Sequence, residues 1–302
     1  MAPRSIFSGL SAFPLTPANA DGVVDSAAFA TMLDRLVAAG VDSITVLGST
    51  GTYAYLDRME RSRALAVAVE TIAGRVPLIA GIGALRTSWA TDLAKDAESA
   101  GADALLLAPV SYTPLTDEEV FSHFETVAGS TGLPLCIYNN PGTTHFSFTE
   151  ALIARLSRVP RIAAVKMPPS QGADYPGEIG RLRTGSEAGL AIGYSGDWVA
   201  APALLAGADA WFSVVAGLLP AAALRLTRAA RAGQERETAA ADAALAPLWA
   251  LFRKHSSLRV MYAIADCLGL RAGAPPLPVK PLDDAARAGL EDIVERLGAR
   301  GA

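Results

Sequence analysis

Short apolar runs recur along the first 215 residues, and each run is followed by a loop and then by apolar residues at helical spacing. The runs do not alternate with polar residues, which is typical of strands buried on both faces of a parallel sheet. Strands that alternate with helices pair in parallel through crossover connections. We therefore predict eight strands, at 7–15, 44–47, 76–80, 105–107, 133–138, 162–166, 190–194 and 211–215.

The junction between a helix and the next strand has the same form at three places. A glycine that can cap the end of a helix precedes an aspartate and then an apolar run at 39–47, 100–107 and 206–215. The starts of helices also carry signals, since Asp25 can cap the first helix. Capping boxes are predicted for Asp57 with Glu60, Thr116 with Glu119 and Ser147 with Glu150.

A closed (β/α)8 barrel, or TIM barrel, fits this pattern better than an open doubly wound sheet, because the strand runs are short and apolar and about eight helices separate them. From residue 220 onward only helical patterns remain, at 220–232, 235–254, 257–268 and 283–297. We therefore predict two parts, a catalytic barrel over residues 1–232 and a helical C-terminal extension over residues 233–302.

Composition narrows the possible partners. The chain is 51% apolar with a net charge of −4, which supports a large core and gives no reason to expect nucleic acid or a membrane as a partner. Two cysteines and three scattered histidines do not suggest a disulfide framework or a metal site, so we expect no cofactor. The N-terminus lacks the continuous apolar segment of a signal peptide, so a cytoplasmic protein with a small-molecule substrate is expected.

Lys166 ends the apolar run 162–165 and is followed by Met167 and two prolines, so it is predicted at the end of a buried strand. Burial disfavours the charged form of a lysine, and the neutral amine is a nucleophile. The chain has four lysines against 22 arginines, which makes a lysine inside an apolar strand noteworthy. A structural lysine paired with a buried carboxylate is the alternative interpretation.

Active sites of (β/α)8 barrels lie at the carboxyl ends of the strands. Tyr138 ends the strand before that of Lys166, so both side chains can reach one mouth of the barrel, although a tyrosine here can also be a core aromatic. The other strand ends offer Thr16, the loop 48–52, Ser111, the loop 195–197 and Gly217.

Three motifs together resemble the dihydrodipicolinate synthase/N-acetylneuraminate lyase family. They are Gly-Ser-Thr-Gly at 48–51, Tyr-Asn-Asn-Pro at 138–141 and Ala-Val-Lys at 164–166. The resemblance implies a metal-free class I lyase in which Lys166 forms a Schiff base with pyruvate or another 2-oxo acid and Tyr138 shuttles protons. It also implies that Ser49 and Thr50 bind the substrate carboxylate and the tyrosine, that Thr50 takes part in catalysis, and that Gly196 and Phe212 line the pocket. A homotetramer built from dimers is expected by the same resemblance.

The chain departs from the synthase branch of that family at several positions. Thr143 stands where the resemblance implies an arginine that grips the aldehyde carboxylate, and Ser111, next to Tyr112, stands where it implies a tyrosine of the proton relay. Thr52 and Met167 replace a usual glutamate and aspartate. These departures favour aldol cleavage or dehydration of a 2-oxo-3-deoxy sugar acid, with Ser111 and Thr143 among the substrate contacts. The alternatives are 4-hydroxy-tetrahydrodipicolinate synthase activity and a barrel that binds 2-oxo acids without turnover. His145, in the loop after Tyr138, is a further candidate contact for the distal end of a substrate.

Overall fold

The computed structural model describes residues 5–297, which form a closed barrel of eight parallel strands with β1 paired to β8. This confirms the predicted (β/α)8 barrel. The strands are β1 (Gly9–Ala12), β2 (Ser43–Val46), β3 (Leu78–Gly81), β4 (Ala104–Leu107), β5 (Leu135–Tyr138), β6 (Ile162–Met167), β7 (Ala191–Tyr194) and β8 (Ala210–Ser213).

Helices separate the strands, and four further helices follow the barrel. Within residues 5–297 they are α1 (Ser26–Ala39), α2 (Arg58–Ile72), α3 (Thr87–Ala100), α4 (Asp117–Ala128), α5 (Pro141–Thr144), α6 (Glu150–Leu156), α7 (Tyr175–Gly185), α8 (Ala200–Leu205), α9 (Pro220–Arg231), α10 (Glu235–His255), α11 (Ser257–Cys267), α12 (Asp284–Arg287) and α13 (Leu290–Arg296). Short 3-10 turns at Tyr53–Tyr55, Asp197–Val199 and Val215–Gly217 lie in loops at the carboxyl end of the barrel.

Most of the predicted helix ends are confirmed. The side chain of Asp25 caps α1, and Gly40 ends that helix in the left-handed conformation with φ +75°. The predicted box at Thr116 is complete, with the side chains and backbones of Thr116 and Glu119 bonded reciprocally.

Two predicted capping boxes are not formed as expected. Asp57 caps α2, but the carboxylate of Glu60 bonds to the backbone N–H of Val24 instead of returning to the cap. The predicted box at Ser147 is wrong, because Thr149 caps α6 through the N–H of Leu152. A cap at Thr149 starts the helix two residues later than the sequence pattern suggested.

The helical C-terminal region packs directly onto the barrel. Trp249 of α10 meets Trp211 of β8 edge to face, with ring centroids 6.5 Å apart, and both belong to one hydrophobic core. The helix predicted at 283–297 is divided into α12 and α13, because Gly289 lies between them with φ +78°. The division of the chain at residue 232 stays a prediction. None of the helices within residues 5–297 has the length and apolar character needed to cross a bilayer.

Alternation along the strands decides which side chains face the barrel interior. Successive residues of a strand point to opposite faces, so residues two apart share a face. Cys136 and Ala164 belong to the inner cluster of buried side chains, whereas Ile137 and Val165 belong to the layer between strands and helices. Tyr138 and Lys166 follow Cys136 and Ala164 by two residues and therefore point inward, at the carboxyl end of the barrel.

Candidate active site

A cavity of about 520 Å³ opens at the carboxyl end of the barrel. It receives residues from the ends of β1, β2, β5, β6, β7 and β8 and from the junction of α10 and α11. The structure brings together in its wall seven of the eight site residues proposed from the sequence, namely Ser49, Thr50, Tyr138, Thr143, Lys166, Gly196 and Phe212.

Lys166 lies on β6 in register with Tyr138 of β5 and Gly193 of β7, and it is only 4% exposed. Its Nζ atom is 3.9 Å from the centroid of the Tyr138 ring and 5.4 Å from that of Phe13. Within residues 5–297 it forms no salt bridge, which weakens the interpretation of a structural lysine paired with a carboxylate. The amine therefore faces a cavity, between aromatic rings.

A glycine beside Lys166 makes room for one of these rings. A Cβ atom built on Gly193 would lie 2.5 Å from Cε2 of Phe212, so the Phe212 ring occupies the space where a side chain would stand. Phe212 in turn meets Phe13 edge to face, with centroids 6.1 Å apart. The Lys166 amine thus lies near the faces of two rings, those of Phe13 and Tyr138, and aromatic faces attract cations.

The phenol of Tyr138 is held by two hydrogen bonds. Its oxygen lies 2.9 Å from the hydroxyl of Ser49 and accepts a bond of 2.9 Å from the side-chain amide of Asn140. Because the Asn140 donor and the Ser49 hydroxyl fix the oxygen from two sides, the phenol keeps its place beside the lysine amine. Asn140 was not assigned a role from the sequence, although it belongs to the Tyr-Asn-Asn-Pro motif at 138–141.

The loop 48–52 presents hydroxyl groups to the cavity. Thr50 is buried and lines the wall beside Ser49. The backbone at both ends of the loop is left-handed, with φ +56° at Leu47 and φ +53° at Thr52. A Cβ atom on Gly81 would fall 1.9 Å from the carbonyl oxygen of Leu47, so the ends of β2 and β3 approach closely and fix the start of this loop.

Gly196 and Asp197 form the wall after β7. Gly196 has φ +79°, and a Cβ atom there would lie 2.5 Å from Cγ of Pro169, which explains the glycine. The carboxylate of Asp197 is buried and accepts bonds from the Trp211 indole (2.9 Å) and from the backbone N–H groups of Val214 (3.1 Å) and Val215 (2.7 Å). Burial raises the pKa of Asp197 to about 6, whereas these bonds and the charge of Lys166 oppose the rise.

Two residues that sequence reasoning did not single out stand behind the loop 48–52. Tyr53 lines the cavity, and the guanidinium of Arg61 lies 5.2 Å from the centroid of its ring. Burial raises the pKa of Tyr53 to about 12, Tyr138 adds to the rise, and Arg61 opposes it. Burial lowers the pKa of Arg61 to about 10. Their sequence positions carried no motif that could have indicated this arrangement.

Of the remaining candidates from the sequence, Ser111, Tyr112 and His145 lie outside the cavity that holds Lys166, and Thr143 lines it. Ser111 lines a neighbouring groove between α3 and α4, where its hydroxyl bonds to the carbonyl of Thr113, and it does not join the lysine. Tyr112 is 98% exposed. His145 is exposed at the end of α5 and does not line the cavity, whereas Thr143 on the same helix does. Across residues 5–297, no group of three or more His, Cys, Asp or Glu side chains is arranged to hold a metal ion.

A parallel barrel with a buried lysine and a fixed phenol at its carboxyl end has the architecture of a Schiff-base lyase. The sequence pattern of the Dihydrodipicolinate synthetase family matches residues 6–297. The chain therefore belongs to this family and is a lyase, as the resemblance of its motifs implied.

The relatives support the assignment along nearly the full chain. The crystal structure of dihydrodipicolinate synthase from Agrobacterium tumefaciens is 56% identical, with a TM-score of 0.95, and covers 97% of this chain and 98% of that one. The synthase from Aquifex aeolicus is 26% identical, with a TM-score of 0.89 and coverage of 97% and 99%. The 4-hydroxy-tetrahydrodipicolinate synthase of Nitrosospira multiformis is 35% identical over 289 residues, which is 94% of this chain and 93% of the relative.

Proposed function

We propose that this protein is a class I lyase in which Nζ of Lys166 attacks the carbonyl carbon of a 2-oxo acid. Loss of water from the adduct gives a protonated imine, which withdraws electrons from the neighbouring carbon and allows a bond there to break or form. The observation that carries the proposal is the buried amine of Lys166 beside the hydrogen-bonded phenol of Tyr138, in one cavity.

Tyr138 is suited to move the protons of this reaction. A general acid or base must lie within hydrogen-bond reach of the reacting atoms, directly or through one water. The ring of Tyr138 packs against the lysine amine, and its oxygen has both a fixed donor, Asn140, and a hydroxyl partner, Ser49, that can give or accept a proton. In aldol cleavage Tyr138 would remove the proton of the substrate hydroxyl as the carbon–carbon bond breaks and return it to the enamine carbon. In dehydration it would protonate the leaving hydroxyl, which departs as water.

The substrate carboxylate is proposed to lie against the loop 48–52. Ser49 and Thr50 contribute hydroxyl groups there, and backbone N–H groups of a glycine-containing turn are further donors for an anion. With the carboxylate at this loop and the carbonyl carbon at Lys166, the rest of the substrate extends toward Thr143 and the mouth.

The distal wall of the cavity favours a hydroxylated substrate. The polar side chains that line the cavity include Asn140, Thr143, Ser195 and Ser257, whose amide and hydroxyl groups can bond to substrate hydroxyls. Among the described residues that line the cavity, the only basic side chain is that of Lys166 itself. A second carboxylate on the substrate would therefore find no basic side chain to form an ion pair with, whereas the hydroxyls of a 2-oxo-3-deoxy sugar acid would have hydrogen-bond partners.

The second candidate is 4-hydroxy-tetrahydrodipicolinate synthase activity. The relatives that carry this name cover nearly the whole chain, which favours it as the alternative. Both activities use the same imine, so they differ in the second substrate and in the contacts near Thr143.

Borohydride reduction in the presence of pyruvate tests the common step. Reduction of an imine adds to the Lys166 peptide the mass of pyruvic acid less one oxygen atom. The modification should vanish in Lys166→Ala and persist in Lys254→Ala, which removes an exposed lysine of α10. An intact protein that traps neither pyruvate nor a longer 2-oxo acid would refute the lyase mechanism.

A kinetic panel then separates the candidates. We expect release of pyruvate, or of a dehydrated product, from 2-oxo-3-deoxy sugar acids, and little consumption of pyruvate with aspartate semialdehyde. The reverse result would establish the synthase activity instead. Trapping without turnover of any of these compounds would indicate a barrel that only binds 2-oxo acids.

We also propose that the protein acts in the cytoplasm as a homotetramer built from dimers. These two proposals rest on the resemblance to the family and on the composition of the chain. Light scattering that reports a monomer at micromolar concentration would overturn the tetramer.

A further inference from the structure

The cavity contains a second phenol besides that of Tyr138. Tyr53 is the first residue of the 3-10 turn that follows the loop 48–52, and it lines the cavity together with Ser49 and Tyr138. The same side chain also lines a separate groove on the outside of the barrel mouth, next to Arg61 and Trp89. Its ring is therefore part of the wall between the catalytic cavity and the outer groove.

The position of this phenol is strongly constrained. A Cβ atom built on Gly83 would lie 3.0 Å from the Tyr53 oxygen and 3.2 Å from Cε2 of its ring, so the tyrosine packs onto bare backbone after β3. Arg61 donates to the carbonyl oxygens of Gly83 and Gly81, at 3.0 Å each, and its guanidinium stands 5.2 Å from the Tyr53 ring centroid. The glycine and the guanidinium hold the ring from two directions.

Arg61 is buried without an opposite charge. Within residues 5–297 it makes no salt bridge, and its two hydrogen bonds go to neutral carbonyls. A positive charge at a site of low dielectric acts on its neighbours more strongly than it would in water. Its field favours negative charge on the phenol of Tyr53.

A proton donated by Tyr138 must be replaced before the next turnover. Of its two hydrogen-bond partners, the amide of Asn140 can donate a bond but cannot pass on a proton, whereas the hydroxyl of Ser49 can do so. Tyr53 belongs to the same short segment as Ser49 and keeps its own proton at neutral pH, since burial raises its pKa to about 12. A neutral hydroxyl can give one proton while it accepts another, and it can stabilise a phenolate as a donor.

We propose that Tyr53 is a positioning residue that acts through Tyr138, donating through water to the transient Tyr138 phenolate and so restoring the phenol. Tyr138 gives its proton to the substrate carbon or oxygen, a second proton moves from Tyr53 to the Tyr138 phenolate, and solvent water replaces the proton on Tyr53, which leaves hydroxide in the solvent. The guanidinium of Arg61 stabilises the negative charge during these transfers. This inference rests on the proposed Schiff-base mechanism.

The test separates imine formation from proton transfer. Once the imine of pyruvate forms, loss of a methyl proton gives the enamine. In D2O the enamine carbon takes up a deuteron when the imine forms again, so deuterium accumulates on the methyl group, and NMR can follow this exchange. In Tyr53→Phe we expect this exchange to be at least about 10-fold slower, because general acid–base groups contribute roughly 10²–10⁴-fold and Tyr53 acts at one remove. Borohydride trapping at Lys166 and the thermal midpoint should stay close to those of the wild type.

Tyr55→Phe is the matched control: Tyr55 ends the same 3-10 turn and lines the same cavity, but it is 46% exposed and does not share the contacts of Tyr53 with Gly83 and Arg61. We expect it to exchange deuterium at the wild-type rate. An unchanged exchange rate in Tyr53→Phe would overturn the proposal, and so would an equal loss of trapping and exchange, because the residue would then be only structural. Absence of trapping in the wild type would refute the Schiff-base mechanism itself, and the role of Tyr53 with it.

Discussion

Replacement of Gly193 by alanine should damage the site through a single methyl group. The new Cβ atom would lie 2.5 Å from Cε2 of Phe212 and 2.9 Å from both the Cβ and the carbonyl oxygen of Ala210. Carbon atoms pack at about 3.5–4.0 Å, so the Phe212 ring would have to move by about 1 Å. Overpacking of this kind costs about 1–3 kcal/mol.

The strain should lower both the thermal midpoint of the protein and the rate of the reaction at Lys166. A loss of 1 kcal/mol lowers the thermal midpoint by about 2–4 °C in domains of 150–250 residues, and by somewhat less in a chain of this length. Gly193 pairs with Lys166 across the β6–β7 ladder, and the Phe212 ring lines the same cavity as the amine, so a shift of the ring changes the space available to the substrate there. Each 1.36 kcal/mol of strain that reaches the transition state slows the reaction about tenfold.

Thermal unfolding and the rate of borohydride trapping with pyruvate measure the two effects. Gly180→Ala is the control, because a Cβ atom there, on an exposed face of α7, would meet nothing within 4 Å. It should be neutral, or stabilising by about 0.5–1 kcal/mol. Adding Phe212→Leu to Gly193→Ala should recover part of the loss, since the two residues compete for one space.

Wild-type stability and trapping in Gly193→Ala would refute this reasoning. Equal losses in the single and double variants would show that the clash is with the strand backbone at Ala210 and not with the ring.

Three further outcomes follow from the site. Tyr138→Phe should lower kcat by about 10²–10⁴-fold while the imine still traps at Lys166, and turnover near the wild-type rate would remove Tyr138 from proton transfer. Thr143→Arg should raise the rate with aspartate semialdehyde relative to that with a 2-oxo-3-deoxy sugar acid, because it adds a cation to the distal wall; an unchanged ratio in the kinetic panel would contradict this. The pKa of Asp197 is raised in the folded state to about 6, so protonation of this carboxylate stabilises the fold. Its contribution to the free energy of unfolding, about 3 kcal/mol, is fully present below about pH 4 and is lost as the pH rises through about 6. Urea unfolding at about pH 4.5 and 7.5 should therefore show a smaller gain on acidification in Asp197→Asn than in the wild type.

Much of the fold was predictable because it depends on local patterns. Short apolar runs and the glycine caps between helix and strand, as at Gly40, are set by burial and backbone sterics within a few residues. The wrong cap at Ser147 and the undivided helix at 283–297 concern positions where two local signals competed. Thr149 bonds to the backbone of α6 in the structure, and Gly289 interrupts the last helix.

The candidate site was predictable only in part. Lys166 and Tyr138 could be placed in one mouth because the ends of parallel strands meet at the same edge of a barrel. The register of β5 with β6 was not readable from the sequence, nor was the 3.9 Å approach of the amine to the phenol ring. Ser111 was proposed by alignment to a motif, yet the loop after β4 carries it into another groove, because loop paths depend on contacts far apart in sequence.

The sequence by itself determined the barrel, the family and a lysine at a strand end, since these follow from periodicity, glycine positions and closely spaced motifs. Only the tertiary structure decided that Asn140 and Ser49 both form hydrogen bonds with the Tyr138 oxygen, and that the Phe212 ring packs against Gly193. It alone also placed the guanidinium of Arg61, which forms no salt bridge within residues 5–297, against the ring of Tyr53. The physical reason is that hydrogen bonds, close packing and buried charge act over a few ångströms. Residues far apart along the chain come within that range only when the barrel closes.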